Sequence, residues 1–123
     1  MKNVLIVEDS KAIRSMIRVA LEEAGGFFVA EAGNGFEALK TLPTRRFDLI
    51  ITDINMPDIN GLELIGYVKS NQNYESIPLI IVSTEKSEAD KKRGMALGAA
   101  GYVVKPFKKE EFVTVVMQVL GRE

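Results

Sequence analysis

Two segments, LIVEDS (residues 5–10) and LIITDINMP (residues 49–57), are apolar runs that end directly on carboxylates. The runs VLIV (4–7) and LIIV (79–82) show no alternation of apolar and polar residues, which is typical of strands buried on both faces of a parallel sheet. Three further runs complete a set of five predicted strands: FFVAEA (27–32), LIIT (49–52) and YVV (102–104).

Amphipathic segments separate the predicted strands. Gly25 and Gly26 end the first segment, and Pro43 stops the second. The fourth segment, residues 87–98, has only a thin apolar stripe, so we expect a weakly anchored helix there. Because five strands and five helices alternate strictly, the sequence predicts a doubly wound α/β fold with right-handed crossovers, in one domain at residues 1–123. The thin stripe consists of Ala89, Ala96 and Leu97.

Composition excludes several classes of function. The chain of 123 residues has a net charge of −1, which gives no basic field for binding nucleic acid. It contains no Cys and no His, so disulfides, thiolate or imidazole metal sites and His-dependent catalytic triads are excluded. We find no signal peptide and no apolar run near the roughly 20 residues that span a bilayer. We therefore expect a cytoplasmic protein with no membrane partner.

Polar residues whose side chains are able to bind ions or react follow four of the predicted strands. Glu8 and Asp9 follow the first strand, Asp53 ends the third, Ser83 the fourth and Lys105 the fifth. In open parallel sheets, ligands bind outside the carboxyl ends of the strands. Two carboxylates about 4 Å apart repel by roughly 4 kcal/mol at an effective dielectric near 20, so this cluster requires a cation.

Oxygen ligands without His or Cys select Mg²⁺ or a similar hard ion. A carboxylate beside Mg²⁺ and a lysine is suited to hold a phosphoryl group, and aspartate can itself form an acyl phosphate. Taken singly, each residue has a plainer interpretation. Asp9 or Ser10 is a suitable helix N-cap, Asp53 a turn residue, and Lys105 a surface lysine. Their joint placement at four strand ends favours a site.

The pattern LIVEDS…DLIITDINMPDINGLEL…LIIVST…GAAGYVVKPF resembles the receiver domains of two-component response regulators over essentially the whole chain. The GYVVKPF segment is most similar to the CheY-like, single-domain chemotaxis type. The resemblance implies the flavodoxin-like strand order 2-1-3-4-5, which the residues alone do not give.

The resemblance also assigns roles at the strand ends. Asp53 would accept a phosphoryl group from the phosphohistidine of a sensor kinase. Asp9 would bind Mg²⁺ directly and Glu8 largely through water, with Asp53 and the backbone carbonyl of Asn55 completing the metal site. Lys105 would bridge to the phosphoryl oxygens.

The same resemblance gives roles to three further positions and a second role to Asn55. Ser83 would be the switch hydroxyl that moves to bind the phosphoryl group, and Tyr102 the aromatic that turns inward in response. Asn55 and Glu85 would tune dephosphorylation, toward a phosphate lifetime of seconds to minutes.

Two backbone features are predicted near the site. The resemblance implies a cis peptide bond between Lys105 and Pro106. We expect Gly61 to meet a backbone constraint, since glycine tolerates positive φ.

The resemblance implies a signalling protein with self-catalysed phosphotransfer and autodephosphorylation, and not a turnover enzyme. Its partners would be a sensor histidine kinase or phosphotransfer protein, and a target protein that binds the fourth helix, fifth strand and fifth helix.

Chemotaxis or motility is the nearest pathway, and a receiver in another phosphorelay is an alternative. A Mg²⁺-dependent aspartyl-phosphate phosphatase is a more distant one, because Asn55 stands where its second acid is required. With no output domain after residue 123, output by protein binding is expected, although a receiver excised from a longer chain would look the same.

Overall fold

The computed structural model describes residues 1–84 and 88–121, and within these ranges five strands alternate with five α-helices. No helix in the described ranges is both long and apolar enough to cross a membrane. The elements are β1 (Lys2–Val7), α1 (Lys11–Ala24), β2 (Phe27–Ala32), α2 (Gly35–Thr41), a 3₁₀ turn (Leu42–Thr44), β3 (Leu49–Thr52), α3 (Gly61–Ser70), β4 (Leu79–Ser83), α4 (Glu88–Ala96), β5 (Gly101–Val104) and α5 (Lys109–Val119).

The strands form one parallel sheet in the order β2-β1-β3-β4-β5, which confirms the predicted fold class and strand order. The direction of winding reverses between β1 and β3, so the carboxyl ends of these two strands flank the switch point of the sheet. Val7 lies opposite Thr52 in the register of this pair. The residues that follow, Glu8 and Asp53, therefore leave the sheet side by side.

Two apolar layers cover the sheet, one on each face. Leu5, Val7 and Ile50 pack in a cluster with residues of α2 and α3, while Val4 and Ile6 pack with residues of α1 and α5. Every residue of β3 and β4 is buried, as are the last four residues of β1. This burial on both faces explains why the central strands show no polar alternation.

The helix starts beside the acidic segments are capped by local hydrogen bonds. Ser10 Oγ accepts a bond from the Ile13 N–H at the start of α1, so Ser10, and not Asp9, is the N-cap. At the start of α3, Asn60 and Glu63 form a reciprocal capping box. Neither cap uses Asp9 or Asp53, whose carboxylates remain available at the edge of the sheet.

Helix α4 packs weakly, as predicted, but not through the predicted side chains. Gly94 is the one buried residue of this helix, and Ala89, Ala96 and Leu97 are exposed. A Cβ atom at Gly94 would lie 2.4 Å from Ile81 Cδ1, so the missing side chain is what lets the helix approach β4. The apolar pattern predicted the wrong face because the contact uses a residue without a side chain.

Candidate functional site

Three carboxylates converge at the carboxyl ends of β1 and β3. One oxygen from each of Glu8, Asp9 and Asp53 lies within 4.8 Å of the others. Glu8 is 2% exposed and Asp53 is 7% exposed, whereas Asp9 faces solvent. The backbone sets this arrangement, because the Glu8 N–H donates to the Ala32 carbonyl and the Asp53 N–H donates to the Val7 carbonyl. The acids therefore lie together because their strands are neighbours.

Lys105 directly follows β5, and its side chain contacts two of the three acids. Its Nζ donates to Glu8 Oε1 at 2.7 Å and to Asp53 Oδ2 at 3.2 Å, and its side chain is only 8% exposed. The Lys105 N–H donates to the Ser83 carbonyl at 2.9 Å, which continues the pairing of β4 with β5. The next peptide bond, to Pro106, is cis, as the family resemblance implied.

The Asp53 carboxylate is oriented at both of its oxygens. Oδ1 accepts a hydrogen bond from the Asn55 N–H at 3.3 Å, and Oδ2 accepts the bond from Lys105. The Asn55 side chain is exposed and, in the described part of the chain, forms no hydrogen bond with the acids. Asp53 is thus held in one orientation by one donor to each of its oxygens.

The charges of the cluster are not balanced. Burial raises the pKa of Glu8, and this outweighs the bond from Lys105 and the bond from the Ser10 N–H, which both lower it. Burial alone would lower the pKa of Lys105, but the Glu8 hydrogen bond and the Asp53 charge outweigh it, so the Lys105 pKa is raised. One lysine among three carboxylates leaves an excess of two negative charges, which matches a divalent cation.

Of the two predicted switch residues, Ser83 borders this cluster through its carbonyl, which accepts from the Lys105 N–H, and Tyr102 packs against the core. Ser83 is fully buried at the end of β4, opposite Val104. Tyr102 lies opposite Ile81, is partly buried and packs against the core cluster on the α2–α3 side of the sheet. Their switch roles stay predictions. Glu85, the second position predicted to tune dephosphorylation, lies outside the described residues, as does Ser87 at the predicted start of the fourth helix.

Gly61 meets a backbone constraint, as expected, but the constraint is one of space and not the positive φ that we gave as its reason. It begins α3 with an ordinary φ, and a Cβ atom there would lie 2.0 Å from the Asp53 carbonyl oxygen. The Gly61 N–H donates to the Ile54 carbonyl at 2.8 Å. In the same loop the positive φ belongs to Asp58, at 66°.

We expect Gly61→Ala to lower the free energy of unfolding by about 3 kcal/mol, because the methyl group meets backbone that cannot move aside without displacing Asp53. Urea unfolding followed by far-ultraviolet circular dichroism measures the change. Gly66→Ala is the matched control, since nothing lies within 4 Å of a Cβ at that position of α3. This control should gain up to about 1 kcal/mol from helix propensity. Equal effects of the two substitutions would contradict the steric explanation.

Sequence reasoning missed one residue that touches the acidic segment. Arg14 of α1 donates from Nη1 to the Glu8 carbonyl at 2.6 Å and from Nε to Glu31 Oε1 at 2.7 Å. The only available signal was an arginine five residues after Asp9, on the first turns of the helix that follows the acids. That spacing does not distinguish it from a solvated helix residue.

A parallel five-stranded sheet in this order, with an acid cluster and a lysine at its switch point, defines a class of signalling domain. Residues 4–117 match the family described as "Response regulator receiver domain". The chain therefore belongs to the receiver domains of two-component response regulators.

The chain is similar to chemotaxis proteins along nearly their whole length. "Chemotaxis protein CheY homolog" of Campylobacter jejuni is 39% identical over 119 residues, which cover 95% of this chain and 91% of the relative. "Chemotaxis protein CheY1" of Helicobacter pylori is 36% identical over 118 residues, 95% of each chain. Among solved structures, chemotaxis protein CheY4 of Vibrio cholerae superposes with a TM-score of 0.90 at 39% identity, covering 97% of this chain and 98% of that one. These likenesses support a CheY-type, single-domain receiver.

Proposed function

We propose that this protein is a phosphoacceptor that takes a phosphoryl group on Asp53 from the phosphohistidine of a sensor kinase or phosphotransfer protein. The observation that carries the proposal is the position of Lys105, whose Nζ contacts both Glu8 and Asp53 beside a third carboxylate. If the cluster were only a structural ion pair, its positive and negative charges would balance, and no excess of negative charge would remain. An excess of negative charge at the carboxyl end of the sheet suits the binding of a cation and of a transferred phosphoryl group.

The transfer itself needs a carboxylate oxygen aimed at phosphorus. As the bond from an Asp53 oxygen to phosphorus forms, the bond from phosphorus to the imidazole nitrogen breaks, and the imidazole retains that electron pair. The Asn55 N–H and Lys105 Nζ hold the Asp53 carboxylate in place for this approach. Lys105 then lies within reach of the phosphoryl oxygens, whose charge it neutralises.

The residues present fit a Mg²⁺ ion. Glu8, Asp9 and Asp53 supply oxygen ligands from neighbouring strands, and we propose the Asn55 backbone carbonyl as a fourth. When bound, the ion would neutralise charge on the phosphoryl oxygens. Asp9, the exposed acid of the three, is the one open to direct coordination, while Glu8 is already hydrogen-bonded to Lys105 and to the Ser10 N–H.

The output would be a change of the surface formed by α4, β5 and α5. Phosphorylation adds negative charge and strong acceptors at Asp53, toward which the Ser83 hydroxyl and Lys105 would move, with Tyr102 turning inward. The weak packing of α4 favours such a shift, since little buried contact would be lost. Met95 and Val104 are 41% and 39% exposed on this surface, which suits a protein target.

The names of the similar proteins favour chemotaxis as the pathway. We further propose that the protein acts in the cytoplasm and that Asn55 and Glu85 set a phosphate lifetime of seconds to minutes. Autodephosphorylation would make the signal transient, as steering of a motile cell requires.

Phosphate transfer is tested with acetyl phosphate and Mg²⁺, using intact-protein mass spectrometry. We expect one phosphoryl group per chain, located by peptide mapping at Asp53 and removed by hydroxylamine, which cleaves acyl phosphates. Labelling should fail when EDTA removes the metal. A hydroxylamine-stable phosphate, or one on a peptide without Asp53, would show that the acceptor assignment is wrong.

A further inference from the structure

Arg14 connects the acidic segment to β2, one of the two outermost strands of the sheet. Its guanidinium donates from Nη1 to the Glu8 carbonyl at 2.6 Å and from Nε to Glu31 Oε1, on β2, at 2.7 Å. The Arg14 side chain is only 16% exposed although the helix face around it is charged. One side chain thus joins α1, β2 and the peptide between Glu8 and Asp9, two of the three acids of the cluster.

The carbonyl that Arg14 contacts belongs to the Glu8–Asp9 peptide. A peptide unit is planar, so a bond to its oxygen fixes the whole plane and the direction in which the chain enters Asp9. The Glu8 N–H is already bound to the Ala32 carbonyl, and Ser10 N–H to Glu8 Oε2. Asp9 itself is exposed. The position of its carboxylate therefore depends on the backbone that Arg14 holds.

We propose that Arg14 is a positioning residue that preorganises the Glu8–Asp9 pair for a divalent cation, and that Glu31 orients Arg14 for this task. The inference rests on the proposed function, because it concerns the same metal site. Partners that orient metal ligands without touching the metal change metal affinity when they are lost. Here the link runs through a backbone carbonyl instead of a ligand side chain.

The double contact explains why an arginine stands at this position. The guanidinium presents several N–H donors in a rigid fork, so it can hold Glu31 and the Glu8 carbonyl together. A lysine carries its three N–H donors on one nitrogen at the end of a flexible stem, so it cannot reproduce two contacts made from separate nitrogens of a rigid fork. Arg14→Lys therefore removes the bridge and keeps the positive charge. Keeping the charge is essential, because a neutral variant would also relieve repulsion between Arg14 and the cation, and the two effects would oppose each other.

Arg18 provides the matched control. In the described part of the chain its hydrogen bonds go to the same Glu31 and to Glu22, 3.2 Å away on the same helix. Arg18→Lys makes the same chemical change, one turn further along α1, without touching the Glu8 carbonyl. Both substitutions alter partly exposed ion pairs, so both should change the metal-free stability by less than about 1 kcal/mol.

The experiment measures Mg²⁺ binding by calorimetry, and Mn²⁺ binding by electron paramagnetic resonance, on the unphosphorylated full chain. We expect Arg14→Lys to raise the dissociation constant about tenfold and Arg18→Lys to change it by less than about twofold. An Arg14→Lys value within about twofold of wild type, or an equal loss in Arg18→Lys, would overturn the inference. Asp9→Asn separates this outcome from failure of the proposed function. If the wild type binds no metal, or Asp9→Asn binds as tightly, the metal site itself is wrong and the inference fails with it.

Discussion

The Asp53→Asn variant is expected to take up no phosphoryl group from acetyl phosphate and Mg²⁺, under conditions that label the wild type fully. An amide oxygen carries no full negative charge and cannot form the acyl phosphate, so the loss should be complete within the detection limit of intact-protein mass spectrometry. The variant should also remain folded. The Asn oxygen keeps one of the two hydrogen bonds that hold Asp53, while its NH2 group cannot accept the other, and Lys105 retains its bond to Glu8.

Stability distinguishes this loss of function from misfolding. Removing one of three converging negative charges lessens their repulsion, so without Mg²⁺ the free energy of unfolding of Asp53→Asn should rise by about 1 kcal/mol. Asp58→Asn is the matched control: the same change, on an exposed residue of the same loop whose φ of 66° is one that Asn also adopts. It should be labelled like the wild type. Undiminished labelling of Asp53→Asn would place the acceptor elsewhere.

The sequence predicted the strands well because the central ones are buried on both faces. LIIT and FFVAEA match β3 and β2 at both ends, and the other strands differ by one or two residues. The convergence of Glu8, Asp9, Asp53 and Lys105 was predictable for a related reason, since parallel strands bring their carboxyl ends to one edge. The strand order was not derivable from the residues, because periodicity does not tell which strands are neighbours.

The sequence could not predict three contacts, because each one arises only when two segments approach each other in the folded chain. The contact of Gly61 with the Asp53 carbonyl arises only when the start of α3 folds back onto β3. The face of α4 that meets the sheet uses Gly94, and a glycine contributes nothing to an apolar pattern. The bridge from Arg14 to the Glu8 carbonyl joins a side chain to a backbone oxygen, and no residue pattern records backbone oxygens.

The Lys105→Met variant is expected to lose about 3 kcal/mol of the free energy of unfolding in the absence of Mg²⁺. Its side chain is 8% exposed, and methionine fills similar space without the charge, so the loss reports the unpaired acids and not a cavity. Removing one partner of a buried ion pair leaves the other charge uncompensated, and here two acids, Glu8 and Asp53, lose the same partner. Lys92→Met, at an exposed position of α4, should change stability by less than about 0.5 kcal/mol.

The pH dependence of Lys105→Met has a definite sign. Burial already raises the pKa of Glu8 above its ordinary value of 4.5, and the variant removes the lysine contacts that lower it. A carboxyl group with a raised pKa in the folded state contributes stability below its unfolded pKa and loses it as the pH rises through the folded pKa. Metal-free Lys105→Met should therefore become less stable, relative to wild type, as the pH rises through and beyond the already raised Glu8 pKa of the wild type.

Mg²⁺ provides the decisive comparison for Lys105→Met. A cation that binds only the folded acid cluster stabilises the chain in proportion to the logarithm of its concentration over the dissociation constant. Without Lys105 the carboxylates carry more uncompensated charge, so they should bind the ion more tightly, and Mg²⁺ should raise the melting temperature of the variant more than that of the wild type. Urea and thermal unfolding, with and without millimolar Mg²⁺, measure both effects. A smaller Mg²⁺ shift in the variant would mean that Lys105 helps to hold the metal site together and does not compete with the cation for its charges.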